Sequence, residues 1–377
     1  MKIMENFYGE NLYTFTNYAC SCNEDVVFEK PDAEPRRTFK LYSDVKKPIK
    51  FAYAAKKGLI RLAKNGTIET ENILGIFIGL EKASRKKLEQ FLSDNGFLFP
   101  ISEGRFEAID VQAFMEIVQR LRMTVDLMTE LGSANKDYNR MAELALQLTF
   151  ANPFEMKTEK METAYVSCHH SFADLIERAE QFQVDSQRKR EALEYDVYMV
   201  EDTISDGVYQ MNVDEYNDIT GNYTNYSDIL KAVVQLFVNY NGTETERAVI
   251  DFLFHWLYVP VKENSEPDFN DKMKTNVQIF AKWIVGEEIN HNLSGIRPVY
   301  NSENMEPSWK VDSLMSALYF SLFYLKPNME LYRPCGNPRC SNYFLVKSTS
   351  SKTKYCCTKC SNNVTQTRYR KKKQENK

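Results

Sequence analysis

The sequence lacks the patterns that mark the common catalytic folds: it has no GxxxxGK[ST] phosphate loop, no GxGxxG turn, no GxSxG elbow and no HExxH helix. Each of those patterns places backbone amides, a nucleophile or a pair of metal ligands where a reaction needs them. Histidine is scarce, with four in 377 residues, and none sits in a motif that pairs it with a nucleophile. A Ser/His or Cys/His enzyme is therefore unsupported. Acidic pairs carry no signal of their own in a chain with 52 Asp or Glu. An EF-hand also fails, because Asp214 to Gly221 has neither the ligand spacing nor the closing Glu. Long apolar runs are missing too. Leu314 to Leu325 is the most apolar stretch and is too short to cross a bilayer, and Met1 to Phe15 lacks the apolar core of a secretory leader. We expect a cytoplasmic protein with no membrane partner.

What is present is unevenly spread. With 43% apolar and 13% aromatic residues the chain can bury the cores of two or three domains. Five of its eight cysteines fall in the last 45 residues. Cys335-Gly-Asn-Pro-Arg-Cys340 is a C-x4-C pair, and fifteen residues later Tyr355-Cys356-Cys357-Thr-Lys-Cys360 supplies a C-x3-C pair. Zinc takes four soft donors at tetrahedral corners, and two tight pairs joined by a longer loop provide them. The expected ligands are Cys335, Cys340, Cys356 and Cys360, with Cys357 able to replace Cys356 by shortening the second pair. Four thiolates leave no open position for water or substrate, so the expected cofactor is one structural Zn2+. Cys20-Ser-Cys22 could join Cys168, His169 or His170 in a second site, although packed thiols are the plainer reading of a single C-x-C.

Between the two pairs, Tyr343 to Val346 reads as a strand and Ser348 to Thr353 as a loop tip, which predicts a hairpin there. From Ser361 to Lys373 no Gly or Pro interrupts the chain, so a helix can start at the last ligand, its amide dipoles favouring the Cys360 thiolate. Phe344, Tyr355 and Val364 would form a small core. Knuckle, hairpin and ligand-bearing helix make a treble-clef-like plan. Residues 331–373 resemble the C-terminal finger of the CGNR zinc-finger proteins, bacterial regulators that place a ligand-sensing domain before the finger. The likeness rests on Cys335-x-Asn337-Pro338-x-Cys340, Phe344, the aromatic-Cys pair Tyr355-Cys356 and the basic helix after Cys360. The family's naming tetrapeptide reads Cys360-Ser361-Asn362-Asn363 here. The resemblance implies DNA binding and transcription regulation.

Charge points the same way. From Arg333 to Lys377 there are 12 Lys or Arg and one acid, a net +11, so the preceding residues carry −15 of the overall −4. Arg368, Arg370, Lys371, Lys372 and Lys373 could neutralise phosphates. Asn362, Asn363, Gln366 and Arg368 are the side chains best suited to base edges, since Asn and Gln pair with adenine and Arg with guanine. Nucleic acid is thus the expected partner, DNA favoured over RNA. A homodimer would add the contacts one finger lacks. Two other readings stay open: an RNA-binding stress or phage-defence protein that stacks bases on Tyr343, Tyr355 and Tyr369, and an enzyme acting on nucleic acid whose finger only recruits substrate.

The expected fold class is mainly α within α+β. It has an α+β region at 1–155, a mainly helical sensing region at 156–330 for an unknown small molecule or protein, and the finger at 331–377. Residues 1–50 read as irregular with short strands at Leu12–Phe15 and Val26–Phe28, followed by a helix over Phe51–Lys64 that stops at Asn65-Gly66. Further helices are expected at 85–95 behind Ser84, from Asp110 to about Leu131, over Tyr138–Leu148, across 160–190 and from Ser227 to Tyr240. A capping box at Thr243 to Glu246 opens a helix that should end before Pro260, and His255 in it reads as buried and hydrogen-bonded. Met273–Val285 and Ser313–Leu325, the latter capped by Asp312, complete the set around an extended Gly295–Tyr300. Between Glu191 and Leu230 ten acids stand with no Lys or Arg, a solvated face or a mask for the basic tail.

Overall fold

The computed structural model describes residues 11–27, 36–54, 57–82, 84–100, 106–157, 163–182, 196–302, 305–325, 329–347, 349–350 and 353–375. The protein is a mixed α+β chain in two compact units: residues 1–135, 152–168 and 287–377 form one, and residues 136–151 and 169–286 the other. In order, the elements begin with β1 (Asn11–Val27), β2 (Arg36–Ala54), β3 (Gly58–Leu62), β4 (Ile68–Thr70), α1 (Ile73–Ile78), α2 (Arg85–Asn95), β5 (Phe106–Asp110), α3 (Val111–Gly132) and α4 (Tyr138–Thr149). Then come β6 (Glu155–Lys157), β7 (Thr163–Val166), α5 (Ser171–Glu177), β8 (Val197–Asp202), β9 (Gly207–Asn212), α6 (Val213–Thr220), α7 (Asp228–Asn239), α8 (Glu244–Leu253) and α9 (Val259–Glu263). The last are α10 (Asp271–Asn292), β10 (Ile296–Asn301), β11 (Glu306–Val311), α11 (Leu314–Phe323), β12 (Glu330–Pro334), β13 (Tyr343–Lys347) and α12 (Thr358–Glu375).

The first unit is built on an antiparallel sheet ordered β1-β2-β3-β4, with β5 on the other part of β2. Two expectations are corrected here. Residues 11–27 and 36–54 are a long two-stranded ribbon rather than irregular chain, with Val27 paired to Arg36 at one end and Asn11 to Ala54 at the other. Its inward side chains change parity: Tyr13 and Phe15 are buried on one side of a register shift at Tyr18/Ala19, Cys20 and Cys22 on the other. At this shift Tyr18 faces Pro48 and Ala19 faces Asp44, so residues 45–47 of β2 have no partner on β1. An odd number of extra residues in one strand reverses its side-chain parity relative to the other, and Cys20 and Cys22 lie opposite buried Ser43 and Leu41. Where a helix was expected over Phe51–Lys64, the described residues hold the end of β2 and all of β3. Phe51 to Ala54 and Gly58 to Ile60 are buried without alternation, a pattern that periodicity cannot separate from a buried helix. Gly58, at φ 70°, turns β2 into β3. A left-handed glycine inside the run was the available signal.

The core beneath the sheet is aromatic. Tyr13 lies against Phe320 at a 4.7 Å centroid distance and donates its hydroxyl to the Ala317 carbonyl at 2.9 Å. Phe114 on α3 meets Phe39 and Phe77 edge-on. Ser84 falls at the N-cap position of α2 but its side chain makes no capping bond, α3 begins where expected with Asp110 accepting from the Gln112 and Ala113 amides, and α3 ends at Gly132. The cap of α11 is Ser313 instead of Asp312, because the Ser313 hydroxyl accepts from the Ser316 amide. That helix ends at Phe323, and Pro327-Asn328 lies outside the described residues.

In the second unit α7 and α8 carry the expected caps, Ser227 and the Thr243–Glu246 box, and Phe237 stacks on Phe254 at 3.7 Å. The chain does not stop before Pro260. A π turn over Phe254–Tyr258 leads into α9, whose first turn tolerates Pro260 because a helix start leaves that amide unbonded anyway. His255 is hydrogen-bonded as expected, Nε2 to Asp202 Oδ2 at 2.8 Å, but it is half-buried rather than buried. Asp202 also accepts from Ser205 and the Ile204 amide, and these bonds hold its carboxyl below the usual range although burial opposes them. Of the expected 160–190 helix, residues 160–162 and 183–190 lie outside the described residues, and the described part opens with strand β7 and is helical in the short α5 and a 3-10 turn over Ala179–Gln181. Asp214–Thr220, where no calcium loop was expected, is in α6.

Candidate metal centre and the helix it carries

The finger starts from a hairpin. β12 and β13 pair from Glu330↔Lys347 to Pro334↔Tyr343, and the Cys335–Cys340 knuckle is the turn between them. The hairpin therefore encloses the first cysteine pair, correcting the expected hairpin between the two pairs. Buried Asn337 shapes the knuckle: its side-chain oxygen accepts from the Arg339 amide and its carbonyl from the Cys340 amide, a local turn that Asn readily forms. The Gly336 amide then donates to Lys354 O at 2.7 Å, which draws the second pair alongside the first. Leu331, Phe344 and Val346 form the small core, with Cys356 packed against it. Of the three residues expected there, Phe344 is a member, while Tyr355 and Val364 are only half-buried.

The sulfurs of Cys335, Cys340, Cys356 and Cys360 all lie within 4.8 Å of one another. Cys356 Sγ is 3.8 Å from Cys340 Sγ and 3.7 Å from Cys360 Sγ. A tetrahedral site with metal–sulfur bonds of about 2.3 Å requires sulfurs roughly 3.8 Å apart, so this cluster has the size to hold a metal ion. Cys357 is exposed and outside the cluster, although its sulfur is 3.9 Å from that of Cys356. Four close thiols ionise unequally. Burial and the neighbouring sulfurs hold Cys356 well above an ordinary thiol. Cys335 is also penalised by burial, yet it falls below the ordinary value because backbone amides of Cys356 and Asn337 donate to it. A cation among them removes the conflict by favouring all four thiolates. Cys20 and Cys22 join no cluster of possible ligands among the described residues; burial lifts their thiols to about 11 and about 12. His169 faces Asp174 on the surface of the second unit at 2.6 Å.

Residues that sequence reasoning missed seat the hairpin on the first unit. Asn72, in a left-handed conformation at the cap of α1, donates Nδ2 to the Tyr343 carbonyl at 2.6 Å. Gly75 and Gly79 stand one helical turn apart on that side. A Cβ on Gly79 would come within 2.5 Å of the Ser341 carbonyl, and one on Gly75 within 2.2 Å of the Tyr343 carbonyl. Only hydrogen at these positions lets the two backbones meet. On α3, Arg122 donates to the Tyr343 hydroxyl at 2.9 Å and lies over its ring. The Gly-x3-Gly spacing was visible in the sequence, but nothing there named its partner.

α12 contrasts with this seat. Cys360 sits buried in its first turn and Val364 is half-buried. Asn362, Asn363, Gln366, Arg368, Arg370 and Lys371 are all exposed, and the side chains of Lys372 and Lys373 lie outside the described residues. At about 100° per residue, Asn362, Asn363, Gln366 and Arg370 share one face, while Arg368 and Lys371 follow the side of Cys360 and Val364. The residues expected to read bases therefore do not share a face, Arg368 standing apart. Among the described residues no helix is long and apolar enough to cross a membrane. In comparisons with known proteins, no family model, no curated protein and no solved structure matches the chain.

Proposed function

We propose that the four sulfurs hold one structural Zn2+, and that α12 binds nucleic acid, duplex DNA in preference to RNA, as the output end of a transcription regulator. Cys335, Cys340, Cys356 and Cys360 are the ligands of this reading. A closed four-thiolate zinc fixes the knuckle to the first turn of the helix and performs no chemistry. The observation that carries the reading is the helix: after half-buried Val364 every described side chain from Thr365 to Lys371 is exposed. The eleven residues onward to Glu375 extend about 16 Å. A helix that is polar all round gains nothing from its own protein and suits a polar, charged partner.

In this assignment Arg368, Arg370, Lys371, Lys372 and Lys373 take phosphates, and Asn362, Asn363 and Gln366 face base edges. The remainder of the chain receives a small-molecule or protein signal, and a second copy adds the contacts one finger lacks. RNA is the second reading, favoured by Tyr369, which is 69% exposed; Tyr343 is only 6% exposed and is unfit to stack a base.

The test uses metal-loaded full-length protein and a form ending at Val364, which keeps every ligand and the seated hairpin. Both are offered random pools of duplex DNA and single-stranded RNA at two salt concentrations. The reading expects binding by the full chain only, falling steeply with salt and enriching a duplex sequence. Equal binding by the shortened form, or enrichment of RNA alone, contradicts it.

A further inference from the structure

Beside the knuckle, within the first unit, lies a cleft of about 430 Å³ whose walls come from β3, β4, α1 and the turn after it, α2, the knuckle and the first turns of α12. Its lining is layered. Ile76, Leu80 and Phe91 supply an apolar part, Leu80 and Phe91 buried. Lys87, Arg339 and Lys359 supply exposed cations from three different elements. None of these three forms an ion pair with a described residue, whereas Arg61, the fourth cation, is committed to Glu69 and to the Asp94 carbonyl. Among the described lining residues Asp94 is the one carboxylate and already accepts from Gln90, and two cysteines of the sulfur cluster, Cys340 and Cys360, line the cleft as well. Unpaired cations held around an apolar floor are what a flat heterocycle bearing a phosphate requires. Asn363, on the helix face that also carries Gln366 and Arg370, lines the same cleft and supplies an amide for a base edge.

We propose that this cleft binds a nucleoside phosphate unit, with the base over Leu80 and Phe91 and the phosphate among Lys87, Arg339 and Lys359. The inference rests on the nucleic-acid reading of α12 and extends it to α2, a part of the chain far from the finger in sequence. The same chemistry is offered by an unpaired nucleotide of a bound strand or by a free nucleotide, and the two sources are separated by experiment.

The full-length, metal-loaded protein is titrated with each of the four nucleoside 5′-monophosphates and, separately, with labelled single-stranded and duplex oligonucleotides. Lys87→Glu is compared with the double change Arg370→Glu/Lys371→Glu on the exposed part of α12, with metal content measured for each. Loss of one charge-assisted contact should weaken cleft binding by at least about tenfold. If monophosphates bind and Lys87→Glu abolishes it while the α12 variant does not, the cleft takes free nucleotide. If only oligonucleotides bind and Lys87→Glu weakens the single strand more than the duplex, the cleft takes an unpaired nucleotide of the strand. If Lys87→Glu changes neither while the α12 variant loses oligonucleotide binding, the cleft proposal is overturned and the α12 reading survives. Binding of monophosphates through Lys87 with no oligonucleotide bound would retain the cleft and remove the nucleic-acid role of α12.

Discussion

The two halves of the finger differ in what holds them. The β12–β13 hairpin is fixed by its own unit: Asn72 holds the Tyr343 carbonyl, Arg122 the Tyr343 hydroxyl, and Gly75 of α1 and Gly79 just after it admit its backbone. α12 has no comparable seat, and past Val364 its described side chains are exposed. The two halves meet at the sulfur cluster, two ligands in the hairpin turn and two at or just before the helix start, and the Gly336 amide adds a bond to Lys354 O. A metal there converts the rigidity of the hairpin into a fixed direction for the helix. On the nucleic-acid reading proposed above, the basic segment is then presented in one orientation, which base readout needs and a loose tail cannot give.

The largest effect should come from breaking the tie itself. Removing the metal by chelation, or changing Cys360 to Ser, forfeits binding energy on the order of 10 kcal/mol for a structural zinc. Circular dichroism should then lose helix equivalent to α12 while the aromatic core signal persists. Next is the seat: Gly79→Val drives a side chain into the Ser341 backbone and should cost about 3 kcal/mol in urea unfolding. Gly286 has nothing within 4 Å of its missing Cβ, and Gly286→Ala in the interior of α10 should stabilise by about 0.5–1 kcal/mol. If both glycine changes proved equally harmful, close approach would not be what singles out Gly79.

Charge reversal at Arg370 and Lys371 should leave unfolding unchanged and make the slope of log affinity against log salt shallower by about 0.9 for each phosphate contact removed. The smallest readout is thiol reactivity at neutral pH. Cys20, Cys22 and Cys168 are buried, with thiols raised to about 11, about 12 and about 12, so they stay protonated and slow to react in the folded protein. Metal-loaded protein should label rapidly at Cys357 alone. After chelation Cys335, Cys340, Cys356 and Cys360 should join it; rapid labelling of Cys356 with metal bound would place Cys357 in the site instead.

The parts legible in the sequence were those whose signals are local. Caps at Ser227 and Thr243 and the uninterrupted run after Cys360 each read out a nearby backbone amide or the absence of a breaker. The four clustered cysteines were legible because ligand spacing is itself local. Strand parity failed at Tyr18/Ala19, where a register shift hides the alternation that would have shown a strand from Tyr13 to Cys22. Phe51–Leu62 failed because a strand buried on both faces has no alternation to read. The hairpin partner of Tyr343–Val346 was misplaced for another reason. Pairing with Glu330–Pro334 depends on the knuckle acting as the turn, which only the closed structure displays. Asn72, Gly75, Gly79 and Arg122 meet the finger across more than 200 residues of sequence, and no local rule reaches that far.

The central claim is that the metal gives α12 its direction and thereby its partner. The most direct measurement is the affinity of the full chain for one enriched duplex, with Zn2+ bound and after chelation, each at two salt concentrations. The account predicts that the metal-loaded protein discriminates this duplex from a scrambled one, and that chelation abolishes the discrimination while weak, salt-sensitive attraction remains. Equal discrimination by the chelated protein would contradict it, because the basic segment would then read its target without the sulfur cluster to aim it.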